Sequence, residues 1–335
     1  MYQSFYHLKE QPFQLTSNPA FICMTEQHQE ALAGLVYSAC TRPGLMVLTG
    51  EAGTGKTTLL YTLLDLLEKR NFVTAVCTNP VLTREELFDF LMLKFGIDCP
   101  SNSKSYQLAA FQEKLLKNRA EGRPSLLIVD EAHRLSLELL EEIRLLLNLE
   151  TPQEKLLQII MAGQPELTDI LQRPDLRQFK QRISCHCKLK PLSLAELREY
   201  IDHRMAHAGV PQQTVFSEIE IERIHEYTEG IPRLVNCLCD NALRTGFATQ
   251  SPSVTVAILD EAAAELDLKR PRPLEVLLAV ADASGSPVKT NGTNGQPGIP
   301  HYDKNGMSSR GKVPLESYAS RQKSLSFFGQ LMDRW

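Results

Sequence analysis

The sequence predicts an α/β fold: a parallel β-sheet flanked by helices, then a small helical domain and a flexible tail. Short apolar runs alternate with helical patterns between residues 45 and 190, and strands separated by helices are typical of parallel sheets. Residues 193–268 contain helical patterns alone. Beyond Lys269 the chain becomes rich in Gly, Pro, Ser, Thr and Asn, a composition that cannot bury enough surface to fold.

Five apolar runs are expected to form the sheet, because each is six or seven residues long and bounded by turn or helix patterns. They are residues 45–50, 72–78, 125–130, 157–163 and 183–189. Two of the helices have apolar residues at i, i+3 and i+4 spacing, which predicts one buried face on each. These helices are residues 56–70, with Leu59, Leu60, Leu63, Leu64 and Leu67, and residues 137–149, with Leu139, Leu140, Ile143, Leu146 and Leu147.

Composition excludes several classes of protein. The 335 residues are 43% hydrophobic and 23% charged, which is typical of a globular chain and not of a disordered or fibrous one. No window approaches the ~18–20 apolar residues that span a bilayer, and the first residues lack a signal-peptide pattern. We therefore expect no transmembrane segment, a cytoplasmic location and reduced cysteines.

Charge is unevenly distributed along the chain. Residues 269–335 hold ten Lys or Arg against five Asp or Glu, whereas the remaining residues hold 26 against 35. The folded part is therefore acidic, which does not favour nucleic-acid binding by bulk charge. The basic tail is expected to be a solvated linker, with contact to an anionic surface as the alternative.

Residues 50–57, which we call the phosphate loop, match the pattern G-x-x-x-x-G-K-[ST]. Loops with this pattern surround nucleotide phosphates with backbone N–H groups. The predicted contact residues are Gly50, Glu51, Ala52, Gly53, Thr54, Gly55, Lys56, Thr57 and Thr58. The alternative is a chance glycine-rich turn. The run follows a predicted strand and begins a predicted helix, which favours the phosphate-binding interpretation over that alternative. Lys56 is expected to neutralise the β- and γ-phosphates, and Thr57 to bind Mg²⁺.

An acidic pair follows the apolar strand 125–130. Asp130 is expected to hold the Mg²⁺ shell, and Glu131 to act as the general base toward the attacking water. The alternative is an ordinary strand that leads into an acidic turn. With the phosphate loop upstream, the pair indicates a site for ATP and Mg²⁺.

Further strings accompany these two motifs. They are Phe5, Pro12-Phe13, Asn18-Pro19, Glu30-Ala31-Leu32, Leu48-Thr49-Gly50-Glu51, Asn79-Pro80, Asp130-Glu131-Ala132-His133, Gly163-Gln164-Pro165-Glu166-Leu167, Arg182 and Gly230-Ile231-Pro232-Arg233. Together they resemble the P-loop AAA+ superfamily, and more narrowly the GspA/ExeA-type secretion ATPases and the related TniB/TnsC transposition ATPases. The resemblance covers about residues 1–268.

The resemblance implies roles for further residues. Gln164 is similar to the sensor 1 residue, which contacts the γ-phosphate or the water, and Asn79 to a residue that restrains the catalytic glutamate. Either is alternatively a turn residue before proline. Arg182, with Arg177 as a second candidate, matches the arginine finger that reaches a neighbouring subunit's ATP, the alternative being a surface ion pair. Arg233 is similar to sensor 2, which reaches the γ-phosphate from the lid, the alternative being an arginine at a helix start with no ligand.

The resemblance also implies four segments: 1–40, which contributes to the nucleotide site; 41–190, the α/β core; 191–268, a helical lid; and 269–335, the flexible basic tail. Phe13 or Phe21 is a candidate to contact the adenine, the alternative being packing in a core. His133 stands where this family commonly has Gln, a departure that we expect to be tolerated.

Three functions are compatible with these residues. The first is Mg²⁺-dependent ATP hydrolysis by a homo-oligomer, cytoplasmic or peripheral at the inner membrane, that energises or switches a secretion, envelope or polymer-export assembly through an unidentified protein partner. The second is an ATP-dependent, DNA-associated regulator of transposition. The third is a scaffold that binds ATP and barely hydrolyses it, which the intact Asp130 and Glu131 disfavour.

Overall fold

A computed structural model describes residues 2–15, 21, 23–42, 44–98, 103–210 and 215–269. All of these fall within one compact unit of the chain. The predicted flexible tail lies outside the described residues, apart from Lys269.

A five-stranded parallel sheet lies at the centre of the fold. Its strands are β1 (Leu45–Gly50), β2 (Val73–Cys77), β3 (Ser125–Val129), β4 (Leu157–Gly163) and β5 (Ile183–Leu189). Their spatial order is β2-β3-β4-β1-β5, and every neighbouring pair runs parallel. The predicted fold class is confirmed. Because β1 and β3 both flank β4, the residues that follow these three strands meet at one edge of the sheet.

The helices surround the sheet and then continue beyond it. They are α1 (Tyr2–Phe5), α2 (Glu26–Thr41), α3 (Lys56–Glu68), α4 (Arg84–Phe95), α5 (Lys104–Ala120), α6 (Leu137–Leu146), α7 (Glu166–Leu171), α8 (Arg177–Lys180), α9 (Leu194–His207), α10 (Glu218–Thr228), α11 (Pro232–Ala248) and α12 (Val256–Glu265). Single 3₁₀ turns lie at Ala132–Arg134 and Pro174–Leu176. The helix predicted for 137–149 ends at Leu146, although Leu147 is still buried as expected.

Two hydrophobic cores stabilise the described part of the chain. The first lies on the sheet, whose strands β1, β3 and β4 are buried at every position, and includes apolar residues of α4, α5 and α6. Strands buried on both faces explain why these runs are apolar throughout. The second core joins helices α9 to α12.

The N-terminal residues belong to the second core and not to the first. Tyr2, Tyr6, Leu8 and Phe13 are buried there, and α1 packs against α11. Tyr2 donates a hydrogen bond from its hydroxyl to Asp240 of α11 at 2.6 Å. The next helix, α2, packs instead against β5 of the sheet. The first forty residues therefore contact both the second core and the sheet.

Candidate nucleotide site

A cavity of about 380 Å³ lies where the carboxyl edge of the sheet meets the helical part of the chain, which consists of α9 to α12. Its volume is within the range of small-molecule sites. The phosphate loop, the N-terminal segment and the helices beyond β5 all contribute to its wall. The lining residues are Leu15, Phe21, Cys23, Met24, His28, Ala52, Gly53, Thr54, Gly55, Lys56, Thr57, Thr58, Leu59, Glu131, Leu192, Tyr200, Pro232, Arg233 and Asn236.

The phosphate loop requires glycine at Gly53 and Gly55. Their φ angles are +85° and +97°, in the left-handed region that other residues adopt at a cost. A Cβ on Gly53 would also lie 2.7 Å from the Cβ of Arg233. Glycine therefore lets the loop close against the helical part and present its backbone to the cavity.

Lys56 begins α3 and is buried inside the loop. Its Nζ donates hydrogen bonds to the carbonyl oxygens of Gly50, at 2.7 Å, and Glu51, at 2.9 Å. Desolvation by burial lowers the pKa of Lys56, and the negative charges of Glu131 and Asp130 oppose that shift. The ammonium group is thus held beside the helix N-terminus, where anions bind.

Thr57 and Asp130 provide a pair of hard oxygen atoms at the floor of the site. The Thr57 hydroxyl donates to Oδ2 of Asp130 at 3.0 Å, and the backbone N–H of Glu131 donates to Oδ1 at 2.9 Å. Mg²⁺ prefers such oxygens and usually binds proteins through few of them. Thr57 and Asp130 therefore fit the magnesium ion that the sequence predicts.

Glu131 follows β3 in an uncommon backbone conformation. Its φ of 52° and ψ of 33° lie in the left-handed region, which non-glycine residues enter mainly at special positions. The side chain lines the cavity and is 37% exposed. A carboxylate that is accessible from the cavity can accept a proton from water.

Gln164 and His133 form a small polar cluster with Glu131. The backbone N–H of Gln164 donates to Nδ1 of His133 at 3.3 Å, and Nε2 of His133 lies 3.4 Å from Nε2 of Gln164. The same His133 nitrogen lies 3.5 Å from Oε2 of Glu131. Neither Gln164 nor His133 lines the cavity itself.

The helical part supplies Arg233 at the start of α11. Its backbone N–H donates to the carbonyl of Gly53 at 3.3 Å, and its exposed side chain lines the cavity. Pro232 occupies the first turn of α11. Backbone N–H groups in a first turn have no acceptor within the helix, so the absence of this group in proline costs no hydrogen bond. A permanent cation therefore lies next to the phosphate loop.

His28 lines the site, although no sequence motif indicates it. Its Nε2 lies 3.1 Å from the carbonyl oxygen of Thr54 and its Nδ1 lies 2.7 Å from the Thr25 hydroxyl. Burial lowers the pKa of His28, so the neutral ring is favoured. Its neutral form donates through Nε2 to the loop, and it thereby links α2 to the phosphate loop.

The two candidate adenine contacts separate in the structure. Phe21 lines the cavity with Leu15, Cys23 and Met24. Phe13 does not: it is buried in the second core, where its ring packs edge-to-face on Phe216. Core packing, the alternative expected for these two residues, therefore holds for Phe13, whereas Phe21 is buried in the same core and also borders the cavity.

Three predicted residues lie away from the cavity. Arg182 precedes β5, whose register pairs Ile183 with Leu45 and Leu189 with Gly50. At about 3.3 Å per residue, the length of β1 places Arg182 roughly 16 Å from the phosphate loop. Arg177, in α8, and Asn79, after β2, are both exposed and do not line the cavity.

Comparisons with known proteins agree with this architecture. An AAA domain family matches residues 40–171. Cdc6p from Pyrobaculum aerophilum has a similar fold, with a TM-score of 0.58 at 17% identity over 82% of this chain and 73% of that one. The ORC2 protein of Aeropyrum pernix gives a TM-score of 0.57 at 16% identity, over 83% and 79%.

The parallel sheet, the phosphate loop and the helical part beyond β5 together define the fold of a P-loop NTPase of the AAA+ type, and residues 40–171 match an AAA domain. Within that class it is similar to General secretion pathway protein A of Aeromonas hydrophila. The two are 39% identical over 267 residues, which are 79% of this chain and 48% of that protein. The chain thus spans about half the length of this relative.

Proposed function

We propose that the chain binds ATP with Mg²⁺ in the cavity and hydrolyses it, with Glu131 as the general base. One observation carries the proposal: Lys56, the Thr57–Asp130 pair and Glu131 come together at one edge of the sheet. Their charges and oxygen atoms match the needs of phosphoryl transfer, which depends on positioning and electrostatic stabilisation. Bound Mg²⁺ would neutralise charge on the phosphates.

Each residue of the chain has a separate task in this proposal. The Lys56 ammonium group and the loop N–H groups bind the phosphates, and Arg233 adds a second cation from the helical part. Glu131 takes the proton from the attacking water at its carboxylate. Gln164 orients the water or the γ-phosphate, and Asn79 restrains Glu131 before a partner binds.

We further propose that active sites are completed between copies of the chain. Arg182 lies at the opposite edge of the sheet from the phosphate loop, so its side chain cannot reach the cavity of its own copy. An arginine at that edge is available to a neighbouring molecule, and its planar fork matches phosphate oxygens. Arg177, exposed on α8, is the second candidate for this role.

Mixing two inactive variants tests this arrangement. Arg182→Ala should bind ATP but not hydrolyse it, because the finger acts on charge that develops in the transition state. It still has a sound site, whereas Glu131→Gln still has a sound arginine. In an equal mixture, about a quarter of the interfaces in a closed ring place an intact Arg182 of one copy beside an intact Glu131 site of its neighbour. Phosphate release should therefore recover to about a quarter of the wild-type rate. Absence of recovery at every ratio, with activity per subunit independent of concentration, would indicate a monomeric enzyme.

We propose that hydrolysis energises or switches a secretion, envelope or polymer-export assembly through a protein partner. The support is the 39% identity to General secretion pathway protein A. No helix among the described residues is long and apolar enough to cross a membrane. We propose, from the resemblance to secretion ATPases, that the chain works in the cytoplasm or at the inner-membrane surface where a partner holds it.

Binding to DNA distinguishes this proposal from regulation of transposition. Residues 1–268 carry 26 Lys or Arg against 35 Asp or Glu, so we expect no affinity for a fluorescein-labelled duplex in anisotropy titrations with ATP at about 0.1 M salt. Tight binding by the ATP form that weakens steeply as salt rises would instead support the transposition regulator. A variant truncated after Leu268 would show whether the basic tail alone causes any weak binding.

A further inference from the structure

We propose that His133 is a positioning residue that orients Glu131 and Gln164 together, so that the general base and the sensor act as one unit. This inference rests on the proposed ATPase function and assigns a role to a residue that we expected merely to be tolerated. It follows from the three contacts of the His133 ring and from the single proton that a neutral imidazole carries.

The contacts determine which ring nitrogen holds the proton. Nδ1 of His133 accepts a hydrogen bond from the backbone N–H of Gln164, at 3.3 Å, so this nitrogen carries no hydrogen. The proton of the neutral ring is therefore on Nε2. That N–H faces Oε2 of Glu131 at 3.5 Å and can attract the carboxylate. The backbone N–H of Gln164 thus determines the tautomer of His133. In histidine metal ligands, likewise, the hydrogen bond at one ring nitrogen decides which nitrogen is protonated.

The same proton determines the orientation of the Gln164 amide. Nε2 of His133 also lies 3.4 Å from the end of the Gln164 side chain. Two N–H groups cannot donate to each other, so the favourable orientation turns the amide oxygen of Gln164 toward His133. Both amide hydrogens of Gln164 are then available to an acceptor such as a phosphate oxygen.

The backbone of Glu131 makes such support necessary. Glu131 is in the left-handed region and its side chain is 37% exposed, so few contacts restrict its rotamers. His133 lies in the 3₁₀ turn Ala132–Arg134 directly after it, and its side chain is only 15% exposed. A buried ring attached to the end of β4 through Gln164 can therefore hold the carboxylate in one position.

His133→Leu and His133→Gln form a matched pair of variants. Leucine keeps an apolar bulk and removes both nitrogens, whereas glutamine keeps one acceptor and one donor at the end of the side chain. We expect His133→Leu to lower kcat by about 10- to 100-fold, because small misplacements of reacting groups have effects of that size. The Kd for ATP should stay within about two-fold, since His133 does not line the cavity. His133→Gln should keep most of the wild-type kcat.

A double variant tests whether the residues form one unit. Gln164→Leu and His133→Leu should be strongly non-additive, so the double variant should be about as slow as the slower single variant. Phosphate release, equilibrium dialysis with labelled ATP and thermal unfolding should be measured on all variants. A purely structural role predicts a lower unfolding temperature with an unchanged kcat.

Three outcomes would overturn the inference. They are a His133→Leu enzyme with wild-type kcat, a His133→Gln enzyme as slow as His133→Leu, and additive losses in the double variant. Failure of the proposed function is distinguishable, because the wild-type chain itself would then release no phosphate from ATP.

Discussion

Glu131→Gln should bind ATP as tightly as the wild-type chain and hydrolyse it at least roughly 100-fold more slowly, the loss expected for a general base. The amide has the shape of the carboxylate but cannot accept the proton of the attacking water. Because only the end of the side chain changes, the left-handed backbone of Glu131 and the hydrogen bond from its N–H to Asp130 should be retained.

The measurement is steady-state phosphate release together with ATP affinity by equilibrium dialysis. Glu113→Gln is the matched control, because Glu113 is an exposed carboxylate on α5, away from the cavity, and its substitution should change neither quantity. Turnover near the wild-type rate in Glu131→Gln, with complete loss in Asp130→Asn, would show that Glu131 is not the base.

Lys56→Ala should abolish measurable nucleotide binding. Removing a charged donor from phosphate oxygens costs up to about 3 kcal/mol, which corresponds to an affinity loss of roughly 100-fold. Lys56 also holds the carbonyl groups of Gly50 and Glu51, so the loop itself should become less ordered. Both effects weaken binding and neither requires the sheet to unfold.

Dialysis with labelled ATP and circular dichroism spectra separate loss of binding from loss of fold. The matched control is Lys69→Ala, since Lys69 directly follows α3 and pairs at the surface with Asp65. Its affinity for ATP should be that of the wild-type chain. Unchanged affinity in a folded Lys56→Ala variant would contradict the assignment of the phosphate loop.

The sequence was sufficient to locate the sheet and the phosphate-binding motif. Buried parallel strands must be apolar at nearly every position, so β1, β3 and β4 appear as continuous apolar runs. The phosphate-loop motif occurs between a strand and a helix, so it also predicts the elements on either side of it. The meeting of Lys56 with Asp130 and Glu131 then follows from parallel strands that end at one edge.

Contacts between residues distant in sequence could not be predicted in the same way. His28 reaches Thr54 across 26 positions, and His133 reaches Gln164 across 31, so no local spacing indicates either pair. Phe13 and Phe21 have similar surroundings in the sequence, yet only Phe21 lines the cavity. Both rings are buried in the second core, and which of them also borders the cavity depends on packing that becomes defined only once that core has formed.

The attachment of the first forty residues to both the second core and the sheet has a consequence for how this chain unfolds. Tyr2 is hydrogen-bonded to Asp240, whereas α2 packs on β5, so one continuous segment bridges two bodies that also meet through Arg233 and Gly53. A ligand bound between such bodies stabilises their association by RT ln(1 + [L]/Kd), about 2.7 kcal/mol at a hundredfold excess over Kd. Under the proposed function, bound nucleotide would therefore increase cooperativity by linking the melting of the sheet to the melting of the helical part, and product release would weaken that link.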